Sequence, residues 1–369
     1  MRQGKRILCW GVALALICVT AAEGGETLIR EPLRLPFSVR GPSGEQAVEL
    51  EAVLVRPDGP GPFPVAILSH GTPREGSKRL DSTANRMLPQ ANEFARRGFA
   101  TLAFLRQGYG SSGGQYAEGP GSCANPDYLR AGQTSARDVL RAIDFMRAQP
   151  FSDAHRTLLV GVSAGGFASL TAAAERPQAL AAVINFAGGR GSRAPNDVCS
   201  SAALVRTFAA IGASARAPSL WVYAENDLYF GPDLARAMHK AYTDAGAPAR
   251  LVMMPSFGQD GHSLFSRGIP LWTPIVDAFL REQGLMLRDP LIALPPPPSP
   301  TLPAHLGPRG REAFQDYLAS PPDKAFALSN SGAWVWVGGR RSAEDARRDA
   351  LGACKGACRI EFLNDEPVP

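Results

Sequence analysis

The stretch TLLVGVSAGGFASL, residues 157–170, decides how the chain is read. An apolar run ends at Val162 and an alanine-rich segment begins at Ala164, with Ser163 between them inside Gly-Val-Ser-Ala-Gly. The run has the length and side chains of a buried strand, and the segment after Gly165 reads as a helix. Ser163 therefore sits at a strand-to-helix corner in a G-x-S-x-G pattern, where the serine takes a positive φ and the flanking glycines are needed because side chains would collide with the turn. GSSGG, residues 110–114, fits the same pattern. It runs on into QYAEGPGSCANPDY, which reads as loop, so Ser112 is taken as a turn residue.

Outward from this corner the chain alternates. VELEAVLVRP, PVAILSH, FATLAFLR, LAAVINFAG, PSLWVYAEND and ARLVMMPS read as further buried strands. ANEFARRG, TSARDVLRAIDFMRAQP, GPDLARAMHKAYTDAG and PLWTPIVDAFLREQG have helical spacing of apolar residues. Continuous apolar strands separated by helices predict a mostly parallel sheet of about eight strands covered on both faces, with the site at the carboxyl ends of the strands. LIALPPPPSPTLP then breaks the pattern as a proline-rich linker over 291–303. Beyond it, residues 304–369 read as a small α+β module. It has a short helix in GREAFQDYLAS, a hairpin in KAFALSNSGAWVWVGG, a helix capped by Ser342 and a final strand in CRIEFLND. Trp334 and Trp336 alternate onto one face of that hairpin, more in keeping with packing than with a ligand platform.

A serine hydroxyl needs a base within reach, and the base needs an acceptor that fixes its tautomer. In this architecture the order is Ser, then Asp or Glu, then His. Downstream of Ser163 are His239, inside a helix, His262, in SFGQDGHSLF just after a strand, and His305, in the linker. Position selects His262. AENDLYF ends another strand and offers Asp227, with Glu225 as the fallback; Asp260 is too near His262 in sequence to face its far nitrogen. An oxyanion hole is expected from the backbone N–H groups of Ala164 and of Thr72, in SHGT, with His70 a scaffold residue. Arg106 and Tyr109, in LRQGYGSSGG, are expected near the mouth of the site as substrate contacts, Arg106 having a scaffold salt bridge as its alternative. This chemistry calls for no metal and no organic cofactor.

Taken in order, SHGT, LRQGYGSSGG, GVSAGG, AENDLYF and DGHSLF resemble the α/β-hydrolase superfamily, in its dienelactone-hydrolase-like and prolyl-oligopeptidase-like branch, over residues 45–285. The resemblance implies an α/β-hydrolase fold for 23–290 and a serine hydrolase acting through Ser163, Asp227 and His262. Dienelactone hydrolases use a cysteine where this chain has Ser163, so dienelactone cleavage does not carry over. Prolyl oligopeptidases carry a β-propeller for which there is no room here. The expected activity is ester hydrolysis on a small-molecule substrate. An amidase or peptidase acting on short substrates, or a binding protein on a hydrolase scaffold, remains as the alternative.

The N-terminus reads separately. MRQGKR is basic, ILCWGVALALICV is apolar, and small residues follow at Ala21 and Ala22, as in a secretory signal peptide over 1–22; an uncleaved anchor is the alternative. The formal charge of +5 includes Arg2, Lys5 and Arg6, so the remaining chain stands at +2 and gives no argument for nucleic acid. Export to the periplasm or medium leaves four cysteines. Cys354 and Cys358 are paired with each other, and Cys123 by elimination with Cys199; free buried thiols are the alternative. No membrane span is expected after cleavage, and oligomeric state is left open.

Overall fold

The computed structural model describes residues 26–41, 44–296, 299–303 and 306–368. The signal-peptide reading of 1–22 lies outside them. In chain order the larger part contains β1 (Leu28–Gly41), β2 (Gly44–Pro57), β3 (Phe63–Ser69), α1 (Leu88–Ala95), β4 (Ala100–Phe104), α2 (Tyr128–Arg147), β5 (Ser152–Val162), α3 (Ala164–Ala174), β6 (Leu180–Phe186), the two short strands β7 (Ser192–Ala194) and β8 (Asp197–Val198), α4 (Ser201–Gly212), β9 (Ser219–Ala224), α5 (Pro232–Asp244), β10 (Ala249–Met254), α6 (Leu264–Arg267) and α7 (Ile269–Glu282). Eight strands form one sheet in the order β1-β2-β4-β3-β5-β6-β9-β10. Pairing is parallel from β4 to β10 and antiparallel where β2 meets β1 and β4. This is the α/β-hydrolase fold.

Strand β3 shows why both faces are covered. All seven of its residues are buried. Val65 and Ile67 enter one core with residues of α2, α3, α4 and α5, whereas Ala66 and Leu68 enter a second core with residues of α1 and α7. Successive side chains of a strand point to opposite faces, so a strand apolar throughout needs helices on each. Trp221 anchors the first core and Trp272 the second, both fully buried; burying a side chain of this size contributes about 2–3 kcal/mol.

Two elements differ from the sequence reading. Strand β1 precedes the first expected strand and pairs with β2 along its whole length. Pro32 and Pro36 hide it in the sequence, yet an edge strand tolerates proline because one row of its N–H groups has no partner strand. Helix α4 has no counterpart among the expected helices, because a run rich in glycine, serine and asparagine before it masks its start. The carboxyl ends of β3, β4, β5, β6, β9 and β10 share one edge of the sheet.

The C-terminal residues form α8 (Pro308–Ala319), β11 (Ala325–Ser329), β12 (Trp334–Val337), α9 (Ala343–Ala353), β13 (Cys358–Leu363) and β14 (Glu366–Pro367). Their antiparallel sheet, ordered β12-β11-β13-β14, has α8 on one face and α9 on the other. Ser342 caps α9, accepting from the Asp345 N–H at 3.1 Å. Trp334 and Trp336 pack against the cluster that holds Phe314 and Tyr317. This part meets the larger one through ion pairs. Arg30 reaches Asp323 at 2.6 Å and Arg341 reaches Glu51 at 2.8 Å.

Glu51 is nearly buried and accepts from Ser111 Oγ at 2.5 Å and the Ala84 N–H at 2.9 Å as well. Burial pushes its carboxyl up, but Ser111, Ala84 and Arg341 together hold it below its usual value. Its folded-state affinity for a proton is thus lower than in the unfolded chain. The stability it contributes is present above the usual carboxylate range and is lost as pH falls through its folded value. Glu51→Gln should lower Tm at pH 7, with the gap to wild type shrinking as melts are run from pH 7 down to pH 3; a constant gap would contradict this role.

Cys123 is bridged to Cys199, closing 76 residues that include β5 and α3, and Cys354 to Cys358. In chain-entropy terms the larger bridge contributes up to about 4–5 kcal/mol. Cys123→Ser should lower Tm in non-reducing buffer, and reductant should bring the wild type down toward the variant. Unchanged melting in both would sink the assignment.

Candidate active site

Ser163 follows β5 and has φ 57° and ψ −125°. A non-glycine residue held there costs about 1–3 kcal/mol, which the surroundings must impose. Its N–H donates to the Phe186 carbonyl at 2.9 Å, and its own carbonyl accepts from Phe167 N–H at 3.1 Å and Gly189 N–H at 3.2 Å. A Cβ on Gly161 would collide with the Gly165 carbonyl, and one on Gly165 with the Ser69 carbonyl. One on Gly71 would press the Ser163 Cβ at 3.1 Å. The close approach of three strand ends therefore leaves no room for side chains around the serine. Ser112, in the other match to the pattern, is buried; its hydroxyl donates to Leu105 O at 2.8 Å and accepts from Glu51 N–H at 2.9 Å.

Asp227 follows β9 and is 1 % exposed. Its Oδ1 accepts from the N–H groups of Tyr229 (2.7 Å) and Phe230 (2.9 Å), which aims Oδ2 at His262 Nδ1, 2.9 Å away. A carboxylate only accepts, so Nδ1 donates and Nε2 keeps its lone pair. Glu225 is exposed. Asp260 shapes the loop instead, accepting from the N–H groups of His262 (2.9 Å) and Leu228 (3.0 Å). The imidazole lies on the Tyr229 ring, with centroids 3.8 Å apart and planes 12° off parallel. Arg74 Cζ sits 3.4 Å from the same ring, so Tyr229 is sandwiched between guanidinium and imidazole.

Ser163, Ala164, Thr72, Tyr229 and Phe230 line one cavity of about 200 Å³. Ser163 and Tyr229, the ring on which His262 stacks, line the same cavity, and no hydrogen bond joins Ser163 Oγ to the imidazole. Such bonds are often long in the absence of substrate and tighten on binding. The N–H of Ala164, first in α3, and that of Thr72 donate to no acceptor among the described residues. The first four N–H groups of a helix have no partner within it and favour negative charge. A hydroxyl, an imidazole oriented by a carboxylate and two free N–H donors are the parts that acyl transfer requires.

Arg106 and Tyr109 do not contact this cavity, contrary to the expectation of substrate contacts at its mouth. Both are fully buried behind Thr72. Arg106 grips Glu118 through Nε at 2.6 Å and Nη2 at 3.0 Å, and donates to Ser69 Oγ and the His70 carbonyl. Tyr109 donates to Glu118 Oε1 at 2.6 Å, and its hydroxyl lies 2.6 Å from Thr72 Oγ1. Glu118 is thus the centre of a buried knot under the Thr72 loop, and nothing in AEGPGS marked it. Burial pushes its carboxyl up, but Arg106 and Arg190 hold it well below the usual range. His70 is a scaffold residue. Its Nδ1 donates to Gly71 O at 2.7 Å, its Nε2 accepts from Arg106 N–H at 3.1 Å, and burial, then Arg106, lower its pKa to about 3, leaving it neutral. His239 lies away from the site on α5, against Trp221.

Among solved structures, the chain is similar to a protein of Klebsiella pneumoniae provisionally named a dienelactone hydrolase, at 20% identity over 70% of this chain and 98% of the other, with a TM-score of 0.47. It is also similar to the Pyrococcus furiosus esterase Pf2001, at 13% identity over 69% and 91%, with a TM-score of 0.47. The acetyl xylan esterase of Paenibacillus sp. R4 matches at 16% identity over 71% and 90%, with a TM-score of 0.46. No curated protein sequence matches it. The sequence profile of the X-Pro dipeptidyl-peptidases of the S15 family matches residues 44–247, more than half of the chain and the part that carries Ser163 and Asp227. The chain is a hydrolase of the α/β-hydrolase superfamily and belongs to the S15 family.

Proposed function

We propose that this protein is an exported carboxylic-ester hydrolase. Ser163 Oγ attacks the ester carbonyl as His262 Nε2 takes its proton. Asp227 holds the imidazole in the correct tautomer and stabilises the imidazolium. The N–H groups of Thr72 and Ala164 receive the oxyanion. His262 returns the proton to the departing alcohol, and a water activated by the same nitrogen releases the acyl group from Ser163. The observation that carries the reading is the Asp227–His262 hydrogen bond, 2.9 Å, behind the wall of the cavity into which the strained corner presents Ser163. Residues 23–290 are the catalytic unit in this reading, and 304–369 a small appended module. Two cysteine bridges support an oxidising destination. The S15 membership makes a short peptide amide the second reading.

A fluorophosphonate probe should label the wild type and not Ser163→Ala; equal labelling of both would defeat the assignment. Asp227→Asn should keep the fold, by melting temperature, and lower kcat on p-nitrophenyl acetate by about 10⁴. A loss of less than tenfold would remove Asp227 from the mechanism. Comparing a p-nitrophenyl ester with the p-nitroanilide of the same acyl group separates ester from amide cleavage.

A further inference from the structure

Three arginines line the cavity beside Ser163: Arg74, Arg79 and Arg190. Arg74 donates to Ser192 Oγ and the Leu228 carbonyl and stacks on Tyr229, and Arg79 stacks on Tyr116 with Cζ 4.0 Å from the ring centroid. Neither meets a carboxylate among the described residues. Arg190 is the most telling. Its side chain is 4 % exposed. Its Nη2 lies 3.0 Å from Glu118 Oε1, but without hydrogen-bond geometry, and neither Nη2 nor Nε has a hydrogen-bond partner among the described residues. Glu118 is already committed to Arg106, so one buried carboxylate faces two buried guanidinium groups. A buried charge left without a matched partner costs several kcal/mol.

The position of Arg190 is built in. Gly189 N–H is bonded to the Ser163 carbonyl, and Gly191 O accepts from Cys199 N–H at 3.0 Å, next to the bridge to Cys123. A Cβ on Gly189 would press Phe230 at 2.7 Å. The backbone on either side of Arg190 is thus pinned, on one side to the serine corner and on the other to the residue in the disulfide.

We infer that Arg190, assisted by Arg74 and Arg79, receives an anionic group of the substrate, so that the preferred substrates are esters carrying a carboxylate near the scissile bond. The inference rests on the hydrolase reading above and gives it a substrate class. A guanidinium pairs with a carboxylate through its N–H donors, and Arg74, Arg79 and Arg190 bring three such groups to one cavity beside Ser163. The same charge disfavours the free α-ammonium that a dipeptidyl-peptidase substrate presents, and weighs against the second reading.

The test compares mono-p-nitrophenyl succinate with p-nitrophenyl butyrate, matched in acyl length, at constant ionic strength. The wild type should favour the anionic ester in kcat/KM by about tenfold or more. Arg190→Met should lower that ratio at least tenfold, and Arg190→Lys should retain part of it. An unchanged ratio in Arg190→Met, or no preference in the wild type, overturns the inference. Should Arg190→Met not fold, inhibition of wild-type butyrate turnover decides: succinate should compete and succinamide should not, and equal effects overturn it. Succinate should also raise the Tm of Ser163→Ala. If it does so while the wild type neither labels nor turns over esters, the anion site stands and the hydrolase reading falls.

Discussion

The backbone at Ser163 is the constraint on which the rest of the molecule turns. A positive φ at a serine is unfavourable in isolation, and it is held here because the corner is so crowded that a side chain at Gly161 or Gly165 would collide with backbone and one at Gly71 would press on Ser163. That crowding exists only if β3, β5 and β6 lie side by side and parallel, which in turn needs apolar strands and helices on both faces of the sheet. The cost at one residue is met by the burial of two cores. In return the hydroxyl projects from the sheet edge instead of folding back onto its own backbone.

Around the corner, charge is organised in layers. Asp227 is fixed by two backbone N–H groups before it meets His262, so its carboxylate is oriented by the turn and not by the imidazole. On the other side, Glu118 and Arg106 brace the loop that carries Thr72, through Tyr109 and the His70 carbonyl. The two loops that supply the proposed oxyanion donors and base are therefore held by separate networks. Arg74 joins them, reaching from the Thr72 loop to the Leu228 carbonyl and the Tyr229 ring at the cavity that Arg190 also lines.

Much of this was legible in the sequence because it is written locally. Ser163 sits in a pattern whose glycines have a steric reason. Asp227 stands in a turn-forming pair after a strand, and His262 in a loop after the next. The cysteines were few enough that pairing the close two left one arrangement. What escaped was written at a distance. Arg106 follows a strand end like the others, but its surroundings depend on Glu118 folding back from twelve residues on, in a segment with no periodicity. Arg190 lies among glycines and serines that read as loop, and its sharing of Glu118 with Arg106 is a property of three dimensions. Strand β1 escaped for the opposite reason: the local prolines argued against a pairing that the sheet edge permits.

The bridge between Cys123 and Cys199 draws a closed ring of chain that contains the serine corner and has Arg190 close to its knot. A single proteolytic nick anywhere within that ring leaves both pieces covalently joined, with the strands still hydrogen-bonded to their neighbours. The exposed stretch 193–196, just after the cavity residue Ser192, falls inside it. A cut beside the candidate site thus leaves the chain in one covalent piece.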